Sequence, residues 1–251
     1  MFHHRPNGLN IHDMNESAID DGNRWYHNLL RWFDSSSTYR DAIISRYDIE
    51  WLRALPFGLV HLVCLGAFWV GWSPTALWVA AGAYIVRMFA ITGFYHRYFS
   101  HRTFAMGRPM QFLAALLGAA ATQKGPLWWA AHHRQHHKSS DTEDDPHNSH
   151  EGFWHAHWMW FLYQESSKPE YDRIADLVRY PELRLVDRLW YIPPVLLGVG
   201  LFIIGGWHWV VWGYFVSTFL LSNGTYTVSY THLRAHETLR YLGCRLLREK
   251  K

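Results

Sequence analysis

The sequence predicts an all-α polytopic membrane protein with two transmembrane helical hairpins and a helical cap between them. Two long apolar stretches, each divided by a turn signal, indicate the hairpins, and a histidine-rich segment separates them. Of the 251 residues, 49% are hydrophobic and 18% are charged, a composition that excludes a disordered or collagen-like chain. Two cysteines are too few for a disulfide framework.

The first hairpin is predicted over residues 55–95. Residues 55–72 carry no formal charge and, at about 1.5 Å per residue, nearly cross a bilayer core. Trp72-Ser73-Pro74 is a turn signal, and the following apolar run is interrupted only by Arg87. A charge within a span is costly, so Arg87 is expected to snorkel or to pair. His61 is expected to pack within the first span.

The second hairpin is predicted over residues 192–227. Residues 192–221 contain no Asp, Glu, Lys or Arg, which is too long for one span and just long enough for two tight ones. The Gly-Gly-Trp-His-Trp sequence at 205–209 is the natural break. The shorter apolar run at 110–122 cannot span a bilayer and predicts a buried or interfacial helix.

Charge predicts the orientation. Residues 1–54 carry six Arg and residues 95–191 carry eleven Lys or Arg, whereas the two predicted hairpin turns carry none. By the positive-inside rule, both termini and the cap, residues 96–191, face the cytoplasm. Within the N-terminal segment 1–54, residues 24–54 predict an amphipathic helix on the membrane surface or, alternatively, a helix packed on the cap.

Two histidine boxes in the cap predict a metal site. His96 and His101 lie in HRYFSH, and His133, His136 and His137 lie in HRQHH. The second set shares one helix face, whereas five residues turn an ideal helix by about 140°. His96 and His101 can therefore converge only where the helix ends or distorts. Imidazoles without cysteine suit iron, zinc, copper or nickel, and five of them indicate more than one metal. Scattered surface histidines are the alternative.

From about residue 48 to residue 227, the chain resembles the membrane fatty acid desaturases, particularly the bacterial acyl-CoA Δ9-desaturase type. The resemblance rests on TGFYHRYFSHRTF at 92–104, QKGPLWWAAHHRQHHKSSDTEDDPHN at 123–148 and GFWHAHWMW at 152–160. It implies a non-haem di-iron centre with two Fe, held by eight or nine histidines, that uses O₂ to introduce a double bond into a fatty acyl-CoA. It also implies a bacterial cytoplasmic membrane protein with its active site at the cytoplasmic face. A small electron-transfer protein, such as a ferredoxin or rubredoxin, would dock on the cap.

The resemblance also assigns roles to individual residues. The implied metal ligands are His96, His101, His133, His136 and His137. The implied lining of an apolar acyl tunnel is Tyr84, Trp129, Thr225 and Tyr226. Met88 joins this lining because it lies one helical turn after Tyr84 on the same stripe of the second span, and helix–helix packing is the alternative for that stripe. Apart from the resemblance, Asp141, Asp145 and His147 lie in a polar loop after the second box. Hydrogen bonds between these residues and ligand imidazoles would fix the imidazole tautomers, although the residues also suit a solvated loop.

Residues 228–251 depart from the family pattern. The family has an Asn-Ser-x-x-His element and a third box of the form HNNHH, and neither is present in this sequence. The segment instead resembles translated sequencing-adapter DNA, so we expect a C-terminally truncated, inactive desaturase with a non-native tail. Its net charge is +4, which leaves −1 for the rest and predicts no nucleic-acid partner. His232 and His236 are accordingly rejected as ligands.

Two other functions remain compatible with the histidine boxes. A hydroxylase or another His-box di-iron oxygenase would produce an alcohol rather than a double bond. A non-enzymatic metal-binding membrane protein would direct its histidines into a pore through the bilayer, whereas a desaturase would cluster them below it.

Overall fold

The computed structural model describes residues 47–140, 142–164, 166 and 169–227. This part of the chain is helical, with no β-strand, and one isolated bridge joins Ile49 to Tyr163. The predicted all-α class is therefore confirmed. The predicted N-terminal surface helix, apart from its last residues, together with Asp141 and residues 228–251, lies outside the described residues.

The first predicted hairpin consists of three helices: α1, Trp51–Cys64; α2, Ala67–Val70; and α3, Pro74–Phe89. The turn before α3 has a positive φ of 70° at Gly71, which glycine adopts without steric cost. The Ser73 hydroxyl accepts a hydrogen bond from the Ala76 N–H at 3.2 Å, and Pro74 supplies a preset first helical residue.

A π-helical segment, Ala90–Ser100, continues α3 and carries the first histidine box. Because a π-helix pairs residue i with residue i+5, five residues make about one turn. The N–H of His101 donates to the carbonyl of His96 at 3.2 Å, which places the two histidines one turn apart. The helix distortion that the convergence of His96 and His101 requires is therefore this π-helical segment, whose turns are wider than those of an α-helix.

The cap is built from short helices. In chain order they are α4, Arg108–Ala119; α5, Pro126–Ser139; a 3₁₀ turn, Ser149–Glu151; a π-helical turn, His155–Met159; α6, Trp160–Leu162; a 3₁₀ turn, Tyr171–Ile174; α7, Ala175–Val178; and α8, Pro181–Arg188. The second histidine box lies in α5. The short run predicted to be a buried or interfacial helix corresponds to α4.

The last long helical region begins as α9, Ile192–Trp209, passes through a π-helical segment, Val210–Val216, and runs on to residue 227. Gly206 interrupts it with φ 59° and ψ −158°. A Cβ built on Gly213 would lie 3.2 Å from Leu201, although twelve residues of straight helix extend about 18 Å. The chain therefore folds back at Gly206.

Among the described residues, three helical regions are long and apolar enough to cross a membrane: Arg53–Val70, Pro74–Ser100 and Ile192–Thr227. The sequence predicted four spans, and the difference lies in the third region, which contains the reversal at Gly206. Large apolar side chains on these regions face outward; Phe68 and Trp69 are 91% and 93% exposed. A lipid environment would cover such surfaces.

The buried core lies between the first histidine box and the cap helices. Tyr95 and Phe99 from the π-helical segment are fully buried, as are Leu127 of α5 and Leu177 of α7. The Tyr95 ring packs so closely on Gly118 of α4 that a Cβ at Gly118 would overlap it. This contact fixes the first box against the cap.

Candidate metal centre

Four histidines from the two boxes converge between the π-helical segment and α5. One ring nitrogen from each of four histidines lies within 4.8 Å of the others; they are His96, His101, His133 and His137. The Nε2 of His133 is 3.0 Å from the Nε2 of His101 and 3.0 Å from the Nε2 of His137. These four residues are called the histidine group below.

The spacing of the histidine group suits a bound metal ion. Nitrogen ligands at about 2.1 Å from one metal lie about 3.0 Å apart when they occupy adjacent positions at right angles. The Nε2 of His133 has this separation from the Nε2 atoms of His101 and His137. Their lone pairs would repel one another without a cation or shared protons between them.

Burial lowers the pKa of three members of the histidine group. Burial lowers the pKa of His137 to about 4, with help from the adjacent His101 and His136. Burial and the surrounding histidines hold the pKa of His133 far below its usual range. Burial and the charge of Arg134 lower the pKa of His101. Since metal binding requires unprotonated imidazole, these shifts favour metal over protons at neutral pH.

His136 lies beside the histidine group rather than within it. Its ring centroid is 5.6 Å from that of His137, and its Nδ1 donates to Asp145 Oδ1 at 2.9 Å. Asp145 is completely buried and also accepts a hydrogen bond from the His147 backbone N–H at 3.0 Å. This carboxylate fixes the His136 tautomer and leaves Nε2 available for a metal.

Comparison with known proteins gives the family. The family model described as "Fatty acid desaturase" matches residues 67–243. The chain belongs to the fatty acid desaturase family.

Named relatives agree with this assignment. The chain is 32% identical over 201 residues to the "sn-2 palmitoyl-lipid 9-desaturase" of Nostoc sp. (strain 36), covering 76% of this chain and 69% of the relative. It is 32% identical over 207 residues to the "sn-1 stearoyl-lipid 9-desaturase" of Anabaena variabilis, with coverages of 78% and 74%. The "Acyl-CoA 5-desaturase AL21" of Anemone leveillei is 33% identical over 168 residues, with coverages of 64% and 51%.

Three residues proposed to line the acyl tunnel of this desaturase lie near the histidine group or on one face of α3. The Trp129 ring stacks on His133, with centroids 4.6 Å apart and planes 21° apart. A Cβ built on Gly224 would lie 3.6 Å from both the Tyr84 hydroxyl and the Met88 terminal methyl. Tyr84 and Met88 therefore meet the last helix at one point.

Thr225 and Tyr226 follow that point on the last helix. The Thr225 hydroxyl accepts a hydrogen bond from the Gln123 amide at 2.9 Å, whereas the Tyr226 ring packs against Phe161 with centroids 5.1 Å apart. The two residues thus face different neighbours. Thr225 lies against the loop that enters α5, and Tyr226 lies against the π-helical turn and α6.

The sequence analysis missed the residue that holds the start of α5. Asp187 of α8 accepts hydrogen bonds through Oδ1 from the backbone N–H groups of Leu127 and Trp128, both at 2.9 Å. This satisfies two donors that every helix leaves open at its first turn. A Cβ at Gly125 would overlap Asp187, so only glycine permits this approach. Sixty residues separate Asp187 from Leu127, and no local pattern reveals such a contact.

Two polar residues of the predicted spans also form hydrogen bonds within the protein. The Arg87 guanidinium is buried, with hydrogen bonds to the Thr218 hydroxyl at 2.7 Å, to Ser217 and to the Ala83 carbonyl. Arg87 therefore pairs with polar groups of the last helix instead of snorkelling. His61 donates from Nδ1 to the Phe57 carbonyl at 2.8 Å, and it packs as expected.

Proposed function

We propose that this chain is an O₂-dependent fatty acyl desaturase whose reaction takes place at a histidine-held di-iron centre. The observation that carries the proposal is the convergence of four imidazoles from two boxes at separations that suit metal ligands. Iron at such a centre would supply the activation of O₂ that removing two hydrogens from an unactivated acyl chain requires.

The protein residues would bind the metal, orient its ligands and position the acyl chain. The histidine group would hold one iron, and His136, oriented by Asp145, would contribute to the second. The Trp129 ring, which stacks on His133, would lie between this imidazole and the acyl chain. Tyr84 and Met88 would bound the far end of an apolar path along α3.

The substrate is proposed to be a saturated acyl-CoA, and the double bond is proposed to form at Δ9. Relatives with similar sequences are named for palmitoyl-lipid and stearoyl-lipid 9-desaturation, and one for acyl-CoA. Two of these three names support a double bond at position 9, whereas one supports CoA as the head group. A lipid-linked acyl chain is the second candidate substrate. The product analysis described below supplies stearoyl groups in both forms and so separates the two candidates.

The membrane arrangement is proposed to be two hairpins with the cap in the cytoplasm. The reversals at Gly71 and Gly206 support the two hairpins, and the distribution of Lys and Arg supports the orientation. A small iron–sulfur or rubredoxin-type protein would then deliver electrons to the cap from the cytoplasm.

The test is product analysis with two proteins. The first is the chain itself; the second joins residues 1–227 to the C-terminal region of the Anabaena variabilis relative, where the resemblance to the desaturases predicts a third histidine box. Each is purified in detergent and supplied with iron, O₂, ferredoxin and its reductase, and stearoyl groups on CoA or on lipid. We expect a Δ9 double bond from the fusion and none from the chain alone. An alcohol product would favour a hydroxylase, and an iron-loaded fusion without product would contradict the proposal.

A further inference from the structure

One guanidinium group connects the two histidine boxes. Arg134 directly follows His133 in α5 and forms five hydrogen bonds. A guanidinium has five N–H groups, so each of them donates one hydrogen bond. Its Nε donates to the Ser100 carbonyl at 3.0 Å, and its Nη2 donates to the Phe99 carbonyl at 2.8 Å. Those carbonyls end the π-helical segment, so a residue of the second box satisfies the helix end of the first.

A single carboxylate joins the arginines that follow the two boxes. Asp176 of α7 accepts from Arg134 Nη1 at 2.7 Å and from Arg134 Nη2 at 3.1 Å. The same carboxylate accepts from Arg102 Nε at 2.8 Å. Arg102 directly follows His101, just as Arg134 follows His133. Asp176 therefore binds one residue next to a histidine of each box.

The carboxylate is held in place by the core. The residues on either side of its turn, Ile174 and Leu177, are fully buried among the cap helices. Burial tends to raise the pKa of Asp176, but the hydrogen bonds from Arg134 and Arg102 outweigh it and lower the pKa. The group is thus a fixed anion at neutral pH.

We propose that Arg134 and Asp176 are positioning residues that set the separation between His101 and His133 in the metal centre. The inference rests on the proposed function and adds two residues that bind no metal themselves. Lysine cannot reproduce this arrangement, because its ammonium carries three donors at one point rather than five in a planar fork.

The plain alternative is an ion pair that only stabilises the cap. Arg108 of α4 and Glu182 of α8 form such a pair, with two hydrogen bonds at 2.9 and 2.7 Å. It has the same two-point geometry, but it joins two cap helices that carry neither histidine box. Arg108→Lys and Glu182→Gln are therefore matched controls for the loss of a two-point ion pair.

The test is Co²⁺ binding to the full chain in detergent, followed by visible absorption, with thermal unfolding of the metal-free protein alongside it. We expect Arg134→Lys and Asp176→Asn each to weaken Co²⁺ binding by about tenfold or more and to change the absorption bands. The double variant should lose little more than the stronger single one, since both changes break one unit. The two control variants should bind Co²⁺ like the unsubstituted chain.

The outcomes separate this inference from the proposed function. Unchanged Co²⁺ affinity in Arg134→Lys and Asp176→Asn, even with a lower unfolding temperature, would overturn the positioning role alone. If Arg134→Lys does not fold, Asp176→Asn decides, because it keeps the shape of the side chain. Failure of the unsubstituted chain to bind Co²⁺ would overturn the metal site and the positioning role together.

Discussion

At the scale of single residues, two histidines of the second box are held in orientation by neighbouring side chains. Asp145 holds Nδ1 of His136 from the loop after α5, and the Trp129 ring covers one face of His133. Outer contacts of this kind fix the tautomer and angle of a metal ligand. The geometry of the candidate metal centre therefore depends on these neighbouring side chains as well as on the histidines.

Replacing Tyr84 tests the proposed end of the acyl path. Tyr84→Ala removes the ring that meets Gly224 on the last helix, so the path should lengthen and accept longer acyl chains. Discrimination of one or two methylenes in an apolar site is worth about tenfold or more. In the fusion protein described above, we expect the ratio of C20 to C18 product to rise by about that factor, measured by gas chromatography.

A second aromatic residue of the same helix provides the control. Trp78 is 78% exposed, and Trp78→Ala should leave the chain-length profile unchanged. If Tyr84→Ala also leaves the profile unchanged, Tyr84 belongs to helix packing and not to the substrate path.

At the residue level, the sequence is informative about contacts that depend on spacing along one helix. Residues four apart share a helix face, so the approach of His133 and His137 follows from the sequence alone. Asp176 lies 42 residues from Arg134, and their contact depends on how α7 packs. The repeated His-Arg pairs at 96–97, 101–102 and 133–134 were the available signal, but they do not identify the carboxylate.

At the scale of elements, the π-helical segment and α5 are the two supports of the histidine group. Helix propensity gave no reason to place wide turns at Ala90–Ser100. Only the need to bring His96 and His101 together indicated a distortion. The start of α5 likewise depends on Asp187, a residue of another helix.

Asp187→Asn should flatten the pH dependence of stability. Burial raises the pKa of Asp187 from 3.8 to about 6, although the N–H groups of Trp128 and Leu127 oppose the shift. Between those values the folded state keeps a proton that the unfolded state releases, so stability falls as pH rises from 4 to 6. The loss is about 3 kcal/mol, and asparagine does not titrate.

Thermal unfolding in detergent between pH 4 and pH 7 measures this difference. The Asn side chain retains an oxygen acceptor for α5, so the variant should stay folded. Asp172→Asn, an exposed change in the 3₁₀ turn Tyr171–Ile174, is the control for the loss of one surface carboxylate. An equal slope in Asp187→Asn would show that this carboxyl does not titrate as expected.

The contact between α4 and the first box makes a second prediction about elements. In Gly118→Ala the new methyl group would overlap the Tyr95 ring, and overpacking of this kind costs about 1–3 kcal/mol. We expect a lower unfolding temperature and weaker Co²⁺ binding, because Tyr95 lies next to His96. Gly82→Ala on α3 has no neighbour within 4 Å of the new Cβ and should not be destabilising.

At the scale of the whole molecule, the helical class and the membrane-spanning lengths could be read from apolar runs, because they depend on composition over long windows. The reversal in the last region could be placed only within residues 205–209, and the structure locates it at Gly206. The packing of the cap against the spans could not be predicted from the sequence, because it depends on contacts between distant segments, such as that of Tyr95 with Gly118.

The iron content of the purified chain tests the central claim most directly. After anaerobic loading with Fe²⁺ and desalting, we expect one tightly bound iron per chain at the histidine group, and fewer than two in total. His133→Ala should abolish it, because this residue touches two of the other three ligands. His150→Ala, a cap histidine outside the histidine group, should leave it unchanged. An iron content that His133→Ala does not lower would contradict the assignment of the metal centre.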